Sequence, residues 1–363
     1  MAYSSREDTG FFRTIHADLR SGDLRQTIGR DYTSLRDYAL SEGQRRQLPG
    51  MSTLRRWFVV PWWILKRLFF ALTPARRLLV LVGSLLIIAS HQTGEHQNGI
   101  ALAGALLLMF VLLLELKDKL AAREELDAGH AVQKALQPEE SPRFPGWDLW
   151  LFTRPANEVG GDLVEFLRLE HGRGAVAIAD VAGKGLRAAL LAAKVQTMLR
   201  TLAPAAPNPA ALGTGLNAAF ARETLPGVFT SLLYIEVEQN SPGIRILNAG
   251  HLPPALFSGA GGRSLEKGGA ALGLMPAAVY AEQHATLAPG EFLVAWSDGV
   301  IEATNSPGEQ YGEDRLHRTI LEHQTLPARE LGRHLMQSID RFATGQSPVD
   351  DISFVILKQG PPS

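Results

Sequence analysis

Residues 99 to 116 read GIALAGALLLMFVLLLEL, a stretch with no Lys, Arg or Asp and one glutamate, Glu115. It has no polar face at the 3.6-residue period, so a helix of this composition has to be apolar on every side. A second run, LLVLVGSLLIIAS, occupies 78 to 90. A spanning helix needs ~20 apolar residues, or somewhat fewer when flanking side chains snorkel; the first run is adequate and the second is short. Between them lies HQTGEHQNG, polar and without Lys or Arg. Arg76 and Arg77 precede the pair, and Lys117, Lys119 and Arg123 follow it. The positive-inside rule then places both ends in the cytoplasm. The expectation is a transmembrane helical hairpin over 76–116 in a multi-pass protein of the cell membrane. Two buried helices of a soluble domain are the weaker reading, because neither run offers a polar face. A cleaved signal peptide does not suit a run preceded by a long polar segment.

The surroundings of the hairpin differ in kind. Residues 1–56 are polar and rich in arginine, carry no readable motif and are expected to be partly disordered. WFVVPWWILKRLFFAL (57 to 72) is aromatic and interrupted by Pro61, Lys66 and Arg67. It suits a helix over 57–73 lying in the lipid interface, with Trp62 and Trp63 at headgroup level; a third span would bury two charges. Residues 117–141 form a charged connector, with Leu116, Leu120, Leu126, Val132 and Leu136 on one helical face, Gly129 weakening the middle and Pro138 closing it. Two readings stand level: a helix that pairs with its twin in a homodimer, or a solvated linker packed on its own domain.

From about 142 onward the pattern changes to a soluble α+β domain. GAVAIADV (174 to 181), FTSLLYIEVE (229 to 238), GIRILNAG (243 to 250), EFLVAWSDG (291 to 299) and DISFVILK (351 to 358) read as strands. Helices are expected over 185 to 203, 208 to 223 and 327 to 343. Strands outnumber helices and several are hairpin-linked, which favours a sandwich of sheets with flanking helices over a parallel sheet. Cysteine is absent, so disulfides, thiolate metal sites and a cysteine nucleophile are excluded. A net charge of -1 gives no electrostatic footing for nucleic acid.

Acids recur at strand ends. Asp162 follows two glycines in EVGGDLVEF, Asp180 ends AVAIAD, Asp298 ends LVAWSD, and Asp350 and Asp351 open DDISFVIL. Any one of them is ordinary turn chemistry. Four together can converge on a pocket, where their mutual repulsion calls for a cation. Oxygen donors without cysteine or a histidine pair suit Mg²⁺ or Mn²⁺. The rival in this region is VAGKG as a phosphate loop. It fails, because Lys184 is followed by Gly185 rather than Ser or Thr and the upstream glycine is missing. His251 in NAGHLPP reads as a turn residue rather than a base.

PANEVGGDLVEF, ADVAGKG, FTSLLYIEV, NAGHLPPAL, ALGL, LAPGEFLVAWSDGVIEATN and DDISFVIL, with the lead-in AVQKALQP, resemble in order and spacing the SpoIIE-type, RsbU-like branch of the PPM metal-dependent protein phosphatases. The resemblance runs from about residue 130 to 358. It implies a PPM-type sandwich of two antiparallel sheets flanked by helices over 142–358, with two Mn²⁺ or Mg²⁺ ions. By motif, Asp162, Asp180, Asp298 and Asp350 would hold the ions, with Asp180 bridging, the Val181 carbonyl adding an oxygen, and Asp351 as the alternative to Asp350. Water activated by the metals would attack phosphoserine or phosphothreonine of a regulatory protein of the anti-sigma-factor-antagonist type. Arg154 and Lys184 are the candidates for the substrate phosphate, with a surface salt bridge the competing reading of Arg154. Two departures stand out: Glu165 replaces a frequent aspartate, and Ala182 stands where animal-type relatives carry a histidine, which leaves the leaving group to be protonated by solvent. The rival function is a membrane signalling scaffold that has the phosphatase-like fold but no catalysis; retention of the whole acidic set argues against it.

Overall fold

The computed structural model describes residue 29 and residues 32 to 360, apart from 34, 37, 38, 93–97, 224–226, 260, 289, 345 and 347. Most of the polar N-terminal region and the centre of the loop between the apolar runs therefore lie outside the described residues. The chain divides into two compact units, residues 1–120 and 121–363.

The first unit is helical. α1 (Glu42–Gln47) opens on a capping box in which Ser41 and Gln44 satisfy each other's backbone donors. α2 (Thr53–Ala71) continues through Pro61. It buries Val60 and Ile64 against Ala39 and Leu40, and leaves Leu54, Trp57, Phe58, Trp62 and Leu65 exposed. α3 (Pro74–Gln92) carries the shorter apolar run and α4 (Asn98–Leu136) the longer. Among the described residues, one helix, Gly99–Leu136, is long and apolar enough to cross a membrane, and 11% of its most apolar window is buried. The sequence suggested a span followed by a separate connector, whereas α4 runs unbroken through both. Gly129, a weak helix former, packs against Leu186 and Val159. The helix stops two residues before Pro138, whose ring disfavours helical geometry at the preceding residue.

Among the described residues of the second unit ten strands build two five-stranded sheets, β1-β10-β9-β6-β7 and β2-β3-β4-β5-β8. Every strand pairing within them is antiparallel. The strands are β1 (Trp147–Arg154), β2 (Asp162–Arg168), β3 (Arg173–Val181), β4 (Thr230–Glu238), β5 (Gly243–Ala249), β6 (Ala255–Ser258), β7 (Gly261–Ser264), β8 (Glu282–Thr286), β9 (Phe292–Trp296) and β10 (Ile352–Gln359). Period-2 alternation explains the layering. On β3, Val176 and Ile178 face the opposite sheet, with Val164, Leu233, Leu293 and Val355. Ala175, Ala177 and Ala179 face α5 (Leu186–Leu202) and α6 (Pro209–Glu223). On β10, Val355 and Leu357 point between the sheets, while Phe354 and Ile356 point to α8 (Gly312–Glu322) and α9 (Ala328–Phe342). The result is helices, sheet, sheet, helices. Each fully buried Leu or Ile in these layers contributes about 1.5–3 kcal/mol.

The expected strands and the three expected helices are found within a few residues of their ends. β1, β2, β6, β7 and β8 were not among the expected strands, nor α8 among the expected helices; β6, β7 and β8 are short, and β7 and β8 are polar edge strands without the apolar alternation that marks a half-buried one. Asp298 does not end a strand. β9 stops at Trp296, and Asp298 opens the single turn α7 (Asp298–Ile301).

Candidate metal centre

The acids meet because both sheets end at one edge. β2 and β3 pair so that Asp162 lies directly across from Asp180. In the other sheet β9 and β10 are neighbours, with Trp296 opposite Phe354. That register sets Asp298, just past β9, beside Asp350 and Asp351, just before β10. Ser297 ties these two ends together. Its Oγ donates to Asp351 O at 3.0 Å and accepts from Ser353 N at 2.9 Å, and its N donates to Ser353 O at 3.0 Å.

Two hydrogen-bond sets join the sheets here. Ser353 Oγ, on β10, donates to Asp162 Oδ2 at 2.6 Å. Asp351 accepts three backbone donors: Ala156 N at 2.7 Å, Gly161 N at 2.6 Å and Asp162 N at 3.2 Å. Gly160 has to be glycine, because a Cβ there would run into the Asp351 carboxylate. A further clamp comes from α4. Gln133 donates to Gly160 O at 2.7 Å and accepts from Gly160 N at 3.1 Å.

The electrostatics follow from crowding. Asp162 is pushed well above the usual carboxylate range by burial and then by the Asp180 charge, against the hydrogen bond from Ser353. Asp180 is raised to about 6 by burial and by the charges of Asp298, Asp350 and Asp351, and Lys184 offsets part of this. Asp298 is raised by burial and by Asp350. The Val181 carbonyl faces Gly161, where a Cβ would stand 3.1 Å from it.

The structure separates the two neighbouring acids that the sequence left open. Asp351 is 6% exposed and its oxygens are taken by backbone N–H groups. Asp350 is one-third exposed and faces Lys184, whose Nζ lies 2.7 Å from its Oδ2. The two are adjacent in the lead-in to β10, yet one is spent on backbone donors and the other faces the lysine. Arg154, a candidate for phosphate, spends its guanidinium on Asp340, at 2.7 and 3.2 Å. Lys184 is brought into the cluster. His251 is buried in the turn after β5. Its N donates to Asn248 Oδ1 at 2.9 Å, and burial pushes its imidazole down to about 4.

Among the described residues no three His, Asp or Glu side chains stand closely enough to hold one ion together. Asp162 is turned onto Ser353 and Asp350 onto Lys184. The donor chemistry still fits a hard divalent cation, because the set is all oxygen, partly buried and mutually repelling. Sequence reasoning missed the bracing roles of Asp351, Ser297, Ser353 and Gln133. Only the Asp351-x-Ser353 spacing, which puts both on one side of the chain entering β10, could have pointed to them.

The family model described as Stage II sporulation protein E (SpoIIE) matches residues 170–359. The chain is 25% identical over 239 residues to phosphoserine phosphatase RsbU of Bacillus subtilis, covering 65% of this chain and 70% of that one. It is 24% identical over 271 residues to protein IcfG of Synechocystis sp., covering 67% of this chain and 42% of the relative's length. Among solved structures, the SiaA-PP2C domain of Pseudomonas aeruginosa aligns with TM-score 0.59 and 18% identity, over 66% of this chain and 98% of that one. The RsbU and RsbW domains of a Mycobacterium tuberculosis protein align with TM-score 0.53 and 23% identity, over 61% of this chain and 62% of that one. At these identities the structures show the fold.

Proposed function

The chain belongs to the SpoIIE family, the RsbU-type branch of the PPM phosphatases, and from that premise we propose that it is a membrane-anchored, metal-dependent phosphatase acting on phosphoserine or phosphothreonine of a regulatory protein. Protein phosphatase activity follows from the family. The metal reading is carried by one observation: carboxylates from both sheets converge at one edge, and no arginine is bonded to them among the described residues. Asp162, Asp180, Asp298, Asp350 and the Val181 carbonyl would hold two Mn²⁺ or Mg²⁺ ions. When bound, such ions lower the pKa of water and offset charge on a phosphoryl group. The residues of the chain do the positioning. Asp351 and Gln133 fix the loop before Asp162, and Ser297 holds Asp298 and Asp350 in register. Burial keeps the acids dry enough for their charge to matter. With Ala182 where relatives of the animal type have histidine, the departing serine or threonine oxygen takes its proton from solvent.

The named activity of the Bacillus relative, a phosphoserine phosphatase, supports the substrate class, and an anti-sigma-factor-antagonist type of protein remains the proposed target. Membrane anchoring by a helical hairpin is supported within the first unit. A Cβ on Gly104 of α4 would stand 2.6 Å from Gly83 O of α3, so the two backbones touch. Arg76 reaches Glu115 and Asp118 at 2.6 Å each at the basic end. Together with the interfacial aromatic face of α2, this favours cytoplasmic placement of the N-terminus and the phosphatase domain. The Gln133 clamp supports control through the connector, and pairing of two connectors in a homodimer is part of the same reading. The test is direct. The purified full chain in detergent should hydrolyse a phosphoserine protein with Mn²⁺ and stop on chelation; turnover that persists in excess chelator refutes the metal reading.

A further inference from the structure

Lys184 is the cation, among the described residues, that bonds an acid of the edge cluster. The chain goes out of its way to put it there. Gly183 and Gly185, at φ +121° and +72°, adopt backbone that favours glycine, and the tight bend between β3 and α5 aims the lysine across to the segment leading into β10. Its Nζ donates to Val349 O at 2.8 Å and pairs with Asp350 Oδ2 at 2.7 Å. The other carboxylate oxygen, Asp350 Oδ1, accepts from Asp351 N at 3.0 Å. Both oxygens of Asp350 are therefore engaged by the protein itself. The ammonium also feels the rest of the cluster. The hydrogen bond to Asp350, and after it the charges of Asp350, Asp351 and Asp298, tighten its hold on its proton against partial burial, and in return it pulls down Asp180 and Asp298.

We propose that Lys184 is a tethered counter-ion of the metal centre, competing with a divalent cation for Asp350 and so lowering the affinity of that position. This rests on reading Asp350 as a ligand. Until a cation arrives, the lysine holds the β3–α5 bend against the lead-in to β10 and offsets the repulsion among the acids. A cation at Asp350 must displace the ammonium, and the four-carbon stem, more than half exposed, lets it swing into water with little loss. Lysine suits this better than arginine, whose planar fork would grip the carboxylate with two bonds.

The experiment is Mn²⁺ titration of the full chain in detergent, by calorimetry and by the electron-spin signal of free Mn²⁺, with no substrate present. K184M should bind the weaker Mn²⁺ about fivefold more tightly, a modest factor because the pair is exposed to solvent screening. K184R keeps the charge and should bind no more tightly than the parent. In a D350N background, which removes the shared carboxylate, K184M should change nothing. Unchanged or weaker Mn²⁺ binding by K184M, or equal tightening by K184R, overturns the proposal while leaving the metal reading intact. No Mn²⁺ uptake by the parent chain overturns both.

Discussion

Strand β2 carries two buried acids that meet opposite fates. Glu165, 2% exposed, is fully provided for: Gln196 Nε2 donates to it at 2.7 Å and Arg200 Nε at 2.8 Å, both from α5. Asp162, 7% exposed and at the mouth of the same strand, has a serine hydroxyl and, across the ladder, another carboxylate. Glu236 repeats the first pattern, with Arg173 and Arg245 both on its Oε1. Glu165 and Glu236 are each supplied with arginine, and the buried Asp351 with three backbone N–H donors. At the edge shared by the two sheets the other four acids, Asp162, Asp180, Asp298 and Asp350, have among the described residues one exposed lysine, Lys184. Burying charge without a partner is costly, and this contrast between the two kinds of buried acid is what the proposed metal reading rests on.

The contrast can be broken most sharply through chemistry. Asp298→Asn should lower kcat/KM on a phosphoprotein by about three orders of magnitude, on the order of 4 kcal/mol of transition-state stabilisation, with an unchanged circular dichroism spectrum. A variant with near-parental turnover would remove Asp298 from the centre. Glu165→Ala should act in the other currency. It strands Arg200 and Gln196, and because Arg200 is 45% exposed the cost falls to about 2–3 kcal/mol of unfolding free energy, at the lower end for a broken buried pair; denaturant melts measure it. Asp180→Asn should move stability the opposite way, raising that of the chelated protein at pH 7 by roughly 1–3 kcal/mol.

The pH dependence sharpens the same point with a smaller effect. The folded chain keeps the Asp180 proton up to about pH 6, whereas the unfolded chain releases it near the ordinary aspartate value. Between the two the folded state binds more protons, so this group's contribution to stability falls as pH rises through that window and is flat above it. Thermal midpoints of the chelated parent minus those of D180N should therefore decline between pH 4 and pH 6. A difference that rises over that range would mean that Asp180 carries a compensating partner that favours its charged form.

Much of this was readable before any coordinates. The alternation in β3, β4, β5, β9 and β10 is local, as are the turn glycines, so the strands announce themselves. The order of the acidic motifs sufficed for the resemblance, and the helical ends of the phosphatase domain fell within a residue or so of their expected places. β7 and β8 were not readable, since short polar edge strands owe their existence to a neighbour, and β6, four residues long between β9 and β7, is too short to show a period. The continuity of α4 was hidden for a similar reason: the change from apolar to charged residues looks like a boundary, although backbone hydrogen bonding is indifferent to it.

The sequence by itself determined the layered architecture and the identity of the acids, because burial period and residue chemistry are properties of each short segment. Tertiary structure alone decided which of Asp350 and Asp351 faces the open edge and which is spent on backbone N–H groups, that Arg154 goes to Asp340, and that Lys184 reaches Asp350. Those outcomes depend on the register of β10 against β1 and β9 and on how the two sheets close over one another. Register is fixed by the sum of many contacts, and moving a strand by one residue exchanges its faces.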